Sequence, residues 1–456
     1  MNSSFDVVVL AAGKGTRMRS ARPKVLHALC GLPLLAYPLR AAQALGPNRI
    51  LVVVSHGKEE VQEAFSSWPV VFVDQGEPLG TGHAVRQARA YVTAPRFLVL
   101  PGDVPLVPPA ALAALVEHHL RAQALASFLT VELEEPGAYG RVVRDESGRP
   151  QRIVEAGDAS PAELALREVN SGVWCLENAP LVWEALAKIS PNNAKGEYYL
   201  TDLVALLHPR VAALRWPHPE DLLGINDRVD LAKAESILRA RILTSWMREG
   251  VSVPDPAAVY PGPDARVGPD TLLLPGTFLY GETEIGPNCV IGPQAYLVDA
   301  KVAEGVRVWF SVVEGAWIAE GAQIGPYAHL RAGARIGARA RIGNFVEVKA
   351  SQIGEGAKAL HLAYIGDAEV GPRANIGAGA ITCNFQPGRA EKFRTEIGAG
   401  AFIGSNACLI APIRIGEGAV VGAGSVITED VPPYALALAR SPQVVKPEWA
   451  RRLEER

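Results

Sequence analysis

The first candidate for chemistry is the stretch LAAGKGTRMRSARPK, which runs from Leu10 to Lys24. An apolar, β-branched run precedes it and predicts a buried strand that feeds a glycine-rich turn. The spacing matches neither a P-loop nor the dinucleotide fingerprint, whose third glycine is replaced by Met18. What remains is a turn whose backbone amides can cradle a polyphosphate, with Lys14, Arg17 and Lys24 to neutralise it. A purely structural turn is the open alternative.

A second candidate is Asp103, in the sequence PGDVPL. The preceding run Phe97–Leu100 predicts a strand, so Asp103 lies at a strand's carboxyl end. Ligands of open α/β sheets bind at this edge. A carboxylate that faces the phosphate turn would hold Mg²⁺, whereas a turn-forming Gly-Asp without further function is the alternative.

The carboxyl half contains two histidines, His329 and His361. A lone histidine is more often a structural group, and His329 is interpreted in that way. His361 lies at an interruption of a sequence repeat, close in sequence to Tyr364, Asn375 and Asn384. Because imidazole titrates near neutral pH, it can take the proton from an amine that attacks a thioester. His361 is therefore the candidate general base.

The elements that must position these residues differ between the two halves. From about residue 251, aliphatic residues recur at every sixth position. A step of six rotates by 240° on a helix but stays on one face of a strand, so the repeat is extended. The three runs are Val267, Leu273, Leu279, Ile285, Ile291 and Leu297; Ile318, Ile324, Leu330, Ile336, Ile342 and Val348; and Ile397, Ile403, Leu409, Ile415, Val421 and Ile427.

Small residues follow many of these aliphatics four positions later, and both positions are expected to point inward. The pattern predicts a hexapeptide parallel β-helix of about nine or ten coils between Val259 and Ile427. It is interrupted at residues 354–364 and 382–396, where functional loops are expected. The small residues are Ala322, Ala328, Ala334, Ala340, Ala401, Ala407, Ala419 and Ser425.

The amino half alternates strand-like runs such as Ile50–Val54 with helical patterns such as Pro109–Leu125, which predicts an open α/β sheet. Leucine and isoleucine at helical spacing then predict one long helix over Asp227–Glu249, which Gly250 ends. We therefore expect an α/β domain over residues 1–226, a helical linker over 227–250, and a β-helix domain with a C-terminal tail over 251–456.

Charge and cysteine usage narrow the classes of partner. The formal net charge of −3 provides no general attraction for nucleic acid or an anionic membrane. The five cysteines show no Cys-x-x-Cys spacing, which argues against structural zinc or a disulfide framework and favours a reducing cytosol. Without a signal-peptide pattern or a long uncharged apolar run, a soluble, cytoplasmic protein is expected.

The motifs of the amino half together resemble those of sugar-1-phosphate nucleotidyltransferases. Nearly the whole chain resembles the bacterial family that joins N-acetylglucosamine-1-phosphate uridylyltransferase to glucosamine-1-phosphate N-acetyltransferase for UDP-N-acetylglucosamine synthesis. The resemblance implies a Rossmann-like amino domain and a left-handed β-helix. The motifs are the Leu10–Lys24 turn, GTGHA at 80–84, YGR at 139–141, Glu155, NSG at 170–172, Asn226, HLAYIGDAEVG at 361–371 and NIGAGAITCNF at 375–385.

For uridylyl transfer, the resemblance implies UTP and N-acetylglucosamine 1-phosphate as substrates, Mg²⁺ as cofactor and pyrophosphate as product. In-line attack by a phosphate oxygen needs positioning and charge neutralisation but no protein nucleophile. The implied nucleotide contacts are Leu10, Ala11, Gly13, Gln75, Gly80 and Thr81, with Arg17 and Lys24 on the phosphates; the metal ligands are Asp103 and Asn226; the sugar-phosphate contacts are Gly140, Glu155 and Asn170.

For acetyl transfer, the resemblance implies acetyl-CoA and glucosamine 1-phosphate as substrates and a homotrimer whose sites are shared between chains. His361 would be the general base and Glu347 would orient it. Arg331 and Lys349, otherwise solvated exterior charges, would clamp the sugar phosphate. The implied sugar contacts are Tyr364, Asn375, Asn384 and Phe385; the implied acetyl-CoA contacts are Ala378, Ser405, Ala423 and Arg440.

Three details depart from the family pattern: Pro101 and Phe385 each replace a usual tyrosine, and the loop 386–391 is longer. Two alternatives to the bifunctional enzyme therefore stay open. One is an enzyme of the same architecture with a different sugar or acyl acceptor. The other is a non-catalytic regulator that binds sugar nucleotides. Retention of a set of polar and charged site residues argues against the regulator: Asp103, Asn226, Lys24, His361, Arg331 and Lys349.

Overall fold

The computed structural model describes residues 4–451, which divide into two compact units within one long helix, between Leu238 and Arg239. The strands of the first unit are β1 (Phe5–Leu10), β2 (Ala28–Leu29), β3 (Leu32–Pro33), β4 (Ile50–Val54), β5 (Val71–Asp74), β6 (Arg96–Pro101), β7 (Ala126–Glu132), β8 (Arg141–Arg144), β9 (Pro150–Val154), β10 (Glu168–Glu177) and β11 (Val211–Arg215).

The α-helices are α1 (Ala36–Gln43), α2 (Lys58–Ala64), α3 (Thr81–Gln87), α4 (Pro109–Ala122), α5 (Pro161–Leu164), α6 (Pro180–Lys188), α7 (Leu203–Leu207) and α8 (Arg228–Arg248). Short 3-10 helices lie at Thr16–Met18, Lys24–Leu26, Ala88–Ala90, Leu200–Asp202, Pro219–Leu222 and Pro256–Ala258.

The first unit is built on a mixed sheet in the order β11-β7-β10-β6-β1-β4-β5, to which β8 and β9 attach beside β10. Strands β6, β1, β4 and β5 are parallel, and β10 runs antiparallel to β6 and β7. Alternate residues of β1 belong to two hydrophobic clusters, Val7 and Val9 to one and Val8 to the other. The sheet is therefore buried on both faces, which explains the continuous apolar runs of its central strands.

Helix α8 has defined ends that its sequence explains. The Asp227 carboxylate accepts hydrogen bonds from the amides of Val229 and Asp230 at the first turn, at 2.8 and 3.0 Å. At the other end Gly250 adopts a φ of 97°, and the Val251 amide donates to the Trp246 carbonyl at 3.0 Å. The left-handed glycine stops the helix while its last carbonyls keep partners.

The second unit is a parallel β-helix, as the six-residue repeat predicted. Its strands are β12 (Val259–Pro261), β13 (Arg266–Val267), β14 (Leu272–Leu273), β15 (Thr277–Tyr280), β16 (Glu284–Ile285), β17 (Val290–Ile291), β18 (Tyr296–Val298), β19 (Lys301–Val302), β20 (Arg307–Val308), β21 (Val312–Glu314), β22 (Trp317–Ile318), β23 (Gln323–Ile324), β24 (His329–Leu330), β25 (Arg335–Ile336), β26 (Arg341–Asn344), β27 (Glu347–Lys349), β28 (Gln352–Ile353), β29 (Lys358–His361), β30 (Tyr364–Gly366), β31 (Ala368–Val370), β32 (Asn375–Ile376), β33 (Ile381–Cys383), β34 (Thr395–Ile397), β35 (Phe402–Ile403), β36 (Cys408–Ile410), β37 (Ile413–Ile415), β38 (Val420–Val421), β39 (Val426–Ile427) and β40 (Leu436–Ala437).

Strands three apart in sequence pair in parallel, and β40 pairs with β38, which gives three sheets of 10, 9 and 10 strands in the described residues. We call them the β12, β13 and β14 sheets after their first strands. The aliphatic and small residues of the repeat are buried together in one continuous core, with Ser425 buried among them. Nine or ten coils with an aliphatic interior were predicted, and the structure confirms both.

The two predicted interruptions differ in kind. Around residues 354–364 the coil remains continuous, and Glu347 pairs with Tyr364 in register. Around residues 384–394 the chain leaves the prism, because Ala368 pairs with Thr395 across 27 residues. In the excursion the Lys392 ammonium lies 4.3 Å from the centre of the Phe385 ring, so this aromatic face is covered by a cation.

Candidate functional site

The amino half contains a cavity of about 530 Å³ at the carboxyl ends of β1 and β6. Ten of the implied contacts line it: Leu10, Ala11, Gly13, Lys24, Gln75, Gly80, Thr81, Asp103, Glu155 and Asn170. These residues are spread over 160 positions of sequence. Because the carboxyl ends of parallel strands meet at one edge of the sheet, the fold brings them together.

The glycine turn presents its backbone to this cavity. The Ala11 amide donates to the Val53 carbonyl at 2.8 Å, and the Leu10 carbonyl accepts from the Gly102 amide at 2.9 Å, so these groups fix the turn. No hydrogen bond within residues 4–451 uses the amides of residues 12–16. Free donors therefore begin one residue later than Ala11 and can cradle an anion. Lys14, a turn cation, also lines the cavity.

Backbone hydrogen bonding brings the two implied metal ligands, Asp103 and Asn226, close together. The Ile225 amide donates to the Asp103 carbonyl at 2.9 Å, and Asn226 follows Ile225. The Lys24 ammonium forms an ion pair with the Asp103 carboxylate and donates to the Ile225 carbonyl at 3.1 Å. Arg17, which does not line the cavity, donates to Asn226 Oδ1 at 2.9 Å. Two cations and two oxygen ligands therefore meet at this edge.

The chemistry of Asp103 and Asn226 is compatible with a divalent cation. Both offer oxygen ligands, which Mg²⁺ prefers, and protein sites for this ion often supply one or two side chains while phosphates and waters supply the rest. In the described residues, no group of three or more His, Cys, Asp or Glu could hold a metal by itself.

The same cavity contains a half-buried carboxylate, that of Glu155. Thr201 Oγ1 donates to Glu155 Oε1 at 3.2 Å, and burial raises the pKa of Glu155. Gly140 does not line the cavity, but a Cβ there would lie 3.1 Å from Glu155 Oε1. Asn170 stands at a register shift of β10, and its Oδ1 accepts from the Gly172 amide at 3.1 Å.

Sequence reasoning missed several cavity residues. Glu197, Leu200 and Thr201 line the cavity from the segment EYYLTD, and Trp174 lines it from β10. The dense polar and aromatic character of EYYLTD was the available signal, but nothing in the sequence places it beside Glu155. Pro101, the first departure, also lines the cavity and would lie 2.9 Å from a Cβ at Gly172.

The carboxyl-half residues divide between two sheets of the prism. On the β12 sheet, Arg331 donates to Glu347 Oε1 at 2.9 Å, and Asn384 Nδ2 lies 3.3 Å from the Tyr364 hydroxyl. Asn384 also donates to the Asp367 carboxylate. Lys349 belongs to the same sheet, where it pairs in register with Gly366. Arg331, Glu347, Lys349, Tyr364 and Asn384 are therefore brought to one face.

Gly366 allows these side chains to meet. A Cβ at Gly366 would overlap the Tyr364 hydroxyl and lie 2.7 Å from Asn384 Nδ2. Only a residue without a side chain leaves this space. Gly366 and Asp367 were both missed by sequence reasoning, although both lie in the stretch HLAYIGDAEVG.

His361 lies on the β14 sheet, apart from Glu347. It ends β29, pairs in register with Asn344, and is exposed. The structure does not bring the His361 ring to the Glu347 carboxylate, which instead binds Arg331. Asn375 is also on the β14 sheet, where it pairs with Lys358.

The implied acetyl-CoA contacts form a column above His361. Continuing the strand register past the paired residues places Ala378, Ser405 and Ala423 at the position of His361 on the next three coils. Backbone bonds link the coils here, because the Asn406 amide donates to the Ala378 carbonyl at 2.7 Å. Arg440 Nη1 donates to the Ala423 carbonyl at 2.7 Å and so lies at the top of the column.

Both halves match known families. Residues 7–160 match the MobA-like NTP transferase domain, and residues 315–350 and 394–429 match the bacterial transferase hexapeptide repeat. The bifunctional protein GlmU of Halalkalibacterium halodurans is 45% identical over 451 residues, 98% of each chain. That of Stutzerimonas stutzeri is 45% identical over 452 residues, which cover 98% of this chain and 99% of the relative.

The fold and the two sites thus define a two-domain transferase, with a nucleotidyltransferase unit and a hexapeptide acyltransferase unit. The chain belongs to the family of the bifunctional protein GlmU. Its activities are uridylyl transfer and N-acetyl transfer, as expected from the sequence. No helix in residues 4–451 is long and apolar enough to cross a membrane.

Proposed function

We propose that the carboxyl half transfers acetyl from acetyl-CoA to glucosamine 1-phosphate, and that the amino half then joins the product to UTP and releases pyrophosphate. The single observation that carries the acetyl assignment is the column of Ala378, Ser405 and Ala423 above His361. Its small side chains leave a track along the coils, and Arg440 lies at the end where a CoA phosphate would bind.

His361 is the proposed general base. Its exposed ring is free to take a proton from the sugar amine as that amine attacks the thioester carbonyl. Arg331 and Lys349 bind the sugar phosphate, with Tyr364, Asn375, Asn384 and Phe385 on the sugar. Within one chain Glu347 accepts a hydrogen bond from Arg331 and would orient its guanidinium. In the assembly, the same carboxylate would orient the His361 imidazole of a neighbouring chain.

In the amino half, the amides of residues 12–16 with Lys14, Arg17 and Lys24 bind the UTP phosphates. Glu155 and Asn170 bind the sugar. Mg²⁺ at Asp103 and Asn226 would neutralise charge on the transferring phosphate. Lys24 holds the Asp103 carboxylate at the cavity, and the Arg17 guanidinium holds the Asn226 oxygen, so both candidate ligands are kept in place.

The proposed assembly is a homotrimer in which neighbouring prisms complete each acetyl-transfer site. An exposed apolar column supports it: Phe310, Tyr327, Phe345 and Leu362 succeed one another at one corner of the prism, next to His361. Tyr327, Phe345 and Leu362 are 53%, 59% and 62% exposed. A contiguous apolar surface of this kind marks a protein interface. The five cysteines form no disulfide within residues 4–451, which fits a reducing compartment such as the cytoplasm.

The decisive experiment incubates the full chain with Mg²⁺, UTP, glucosamine 1-phosphate and acetyl-CoA, and measures free thiol and pyrophosphate separately. Both products are expected, with pyrophosphate lagging behind thiol. Thiol alone would leave a single-activity enzyme, and neither product would overturn the proposal in favour of a regulator.

The assembly has its own test. Phe345→Glu places a charge in the apolar column, so analytical ultracentrifugation should show monomers that have lost acetyl transfer but keep uridylyl transfer. The matched control is Val229→Glu, at a residue of α8 that is 77% exposed, and it should leave the mass of the assembly in solution unchanged. A trimer that tolerates Phe345→Glu would place the interface elsewhere.

A further inference from the structure

His83 lies one layer behind the nucleotide cavity, between two glutamine carboxamides. Its Nδ1 is 3.1 Å from Gln75 Nε2, and its Nε2 is 2.9 Å from Gln87 Nε2. Gln75 is 5% exposed and lines the cavity, whereas His83 does not line it. His83 therefore contacts a proposed nucleotide-binding side chain from the side away from the ligand.

The Gly80 carbonyl shows which way the Gln75 carboxamide faces in this structure. Gln75 Nε2 donates to this carbonyl at 3.1 Å, and a carbonyl can only accept. Gly80 itself is held with a φ of 113°, and a Cβ there would lie 2.7 Å from the Tyr198 carbonyl, so the loop admits only glycine. The nitrogen of Gln75 must therefore face Gly80 and His83.

The proton count then fixes the tautomer of His83. One N–H of Gln75 is used by Gly80, and the other points at His83 Nδ1, which has to be the unprotonated acceptor. A neutral imidazole carries its proton on the other nitrogen, so Nε2–H needs an acceptor. No other hydrogen bond within residues 4–451 fixes the Gln87 carboxamide, so it is free to present its oxygen there.

With both hydrogens used, Gln75 offers only its oxygen to a base. No hydrogen bond in the described residues uses Gln75 Oε1. An amide oxygen matches the ring N–H of uracil, and it repels the ring nitrogen acceptor that cytosine carries at the same place. We infer that His83 is a positioning residue that, together with the Gly80 carbonyl, fixes the orientation of the Gln75 carboxamide and thereby selects a uracil nucleotide over a cytosine nucleotide. The inference rests on the proposed binding of the nucleotide by Gln75.

The charge state of His83 must match this role. Burial, together with the positive Arg86 on the same helix, lowers the pKa of His83, while Glu77 opposes the shift. From the other packed segment, the Tyr198 ring lies 6.1 Å from the imidazole. The ring is therefore neutral at pH 7. Below its lowered pKa, Nδ1 gains a proton and the Gln75 oxygen turns toward it, which leaves the NH₂ group to face the base.

The test measures pyrophosphate release by the full chain with UTP and with CTP, at saturating N-acetylglucosamine 1-phosphate. His83→Phe removes the acceptor, and His83→Asn keeps one at Oδ1. For His83→Phe we expect the kcat/KM ratio of UTP to CTP to fall about tenfold, mainly through KM, as for the loss of one hydrogen bond. His83→Asn should restore most of the ratio. His118→Phe, a histidine of α4 outside the cavity, is the matched control and should not change it.

A pH profile of the unmodified protein keeps the inference testable if His83→Phe does not fold. The UTP-to-CTP ratio should fall as the pH is lowered from about 8 to about 5.5, since the triphosphates of both nucleotides titrate alike. A UTP-to-CTP ratio that does not change with pH, or a His83→Phe variant that keeps full discrimination, would overturn the role of His83. Turnover of UTP in the same experiments would leave the proposed function intact. Absence of UTP turnover in the unmodified protein would overturn the proposed function itself.

Discussion

The two halves of the molecule hold their chemistry in opposite ways. The amino-half site is concave, with a cavity of about 530 Å³ lined by buried Gln75 and by Glu155, a carboxylate whose pKa is raised by burial. The carboxyl-half residues stand on the outside of a filled prism, where the side chains of Arg331 and Glu347 are 44% and 36% exposed. The cavity between the coils beneath Tyr364 is only about 10 Å³.

The difference follows from how each core is filled. An open sheet leaves a free edge at its strand ends, where loops can surround a ligand. The interior of a hexapeptide prism is filled by Ile, Val, Leu and Ala side chains, so functional groups must lie on the outside. A mixed sheet can enclose a ligand within one chain, whereas a prism presents one wall, and in the proposed assembly a neighbouring chain supplies the other.

The largest expected effect separates the halves most cleanly. His361→Ala should reduce acetyl transfer by about 10²–10⁴-fold, because the attacking amine loses its general base. Uridylyl transfer should stay within about twofold, since the residue lies outside that unit. Thiol and pyrophosphate release from the same preparation check both statements, and His329→Ala is the matched histidine control. Native acetyl transfer by a folded His361→Ala protein would remove the proposed base.

The reciprocal change is Asp103→Asn in the amino half. Loss of a charged metal ligand should lower uridylyl transfer by about 10²–10³-fold and leave acetyl transfer unaltered. Chelation of Mg²⁺ should reproduce the same split in the unmodified protein. Asp74→Asn, at an exposed carboxylate paired with Lys58, is the control. Equal losses of both activities would contradict the independence of the two sites.

A smaller effect tests how tightly the outer face of the prism is built. Gly366→Ala introduces a methyl group against the Tyr364 hydroxyl and Asn384, so the KM for glucosamine 1-phosphate should rise about tenfold with uridylyl transfer unaffected. Adding Tyr364→Phe should relieve only the overlap with the hydroxyl, because Cζ of the ring would still lie 2.6 Å from the new Cβ. Thermal unfolding of the single and double variants measures that part: a double variant no more stable than Gly366→Ala alone would show that the hydroxyl is not the main obstacle.

The smallest effect concerns stability. Burial raises the folded-state pKa of Glu155, so its charge costs stability above the unfolded pKa, and the cost is complete above the folded pKa. Glu155→Gln should therefore raise the unfolding free energy at pH 7 by on the order of 1 kcal/mol, or about 2–4 °C in Tm, while uridylyl transfer falls.

The advantage of Glu155→Gln should vanish below about pH 4.3, where the unfolded carboxyl is also protonated. Calorimetry at neutral and acidic pH gives the comparison. A stabilisation that persists unchanged in acid would mean that packing, and not the charge, accounts for it.

The sequence specified the carboxyl half more completely than the amino half. A six-residue period is a local pattern, so it predicts that Ile324 and Ala328 point inward without reference to the rest of the fold. Both residues are buried in the structure. The column from His361 to Ala423 also follows from the sequence spacing of its residues. The length of the excursion, however, was known only from the structure, in which Ala368 pairs with Thr395, 27 residues later. In the amino half, strands such as Ile50–Val54 were read from their composition, and the cavity contacts came from resemblance.

Tertiary structure decided what no local pattern encodes. It placed Thr201 on Glu155, bound the Glu347 carboxylate to Arg331 on a different sheet from His361, and set His83 behind Gln75. By itself the sequence determined the two architectures, because periodicity and hydrophobic runs act through nearest neighbours. The partner of each polar side chain required the fold, because a hydrogen bond between residues far apart in the chain needs a donor–acceptor distance that is correct to within a few tenths of an ångström.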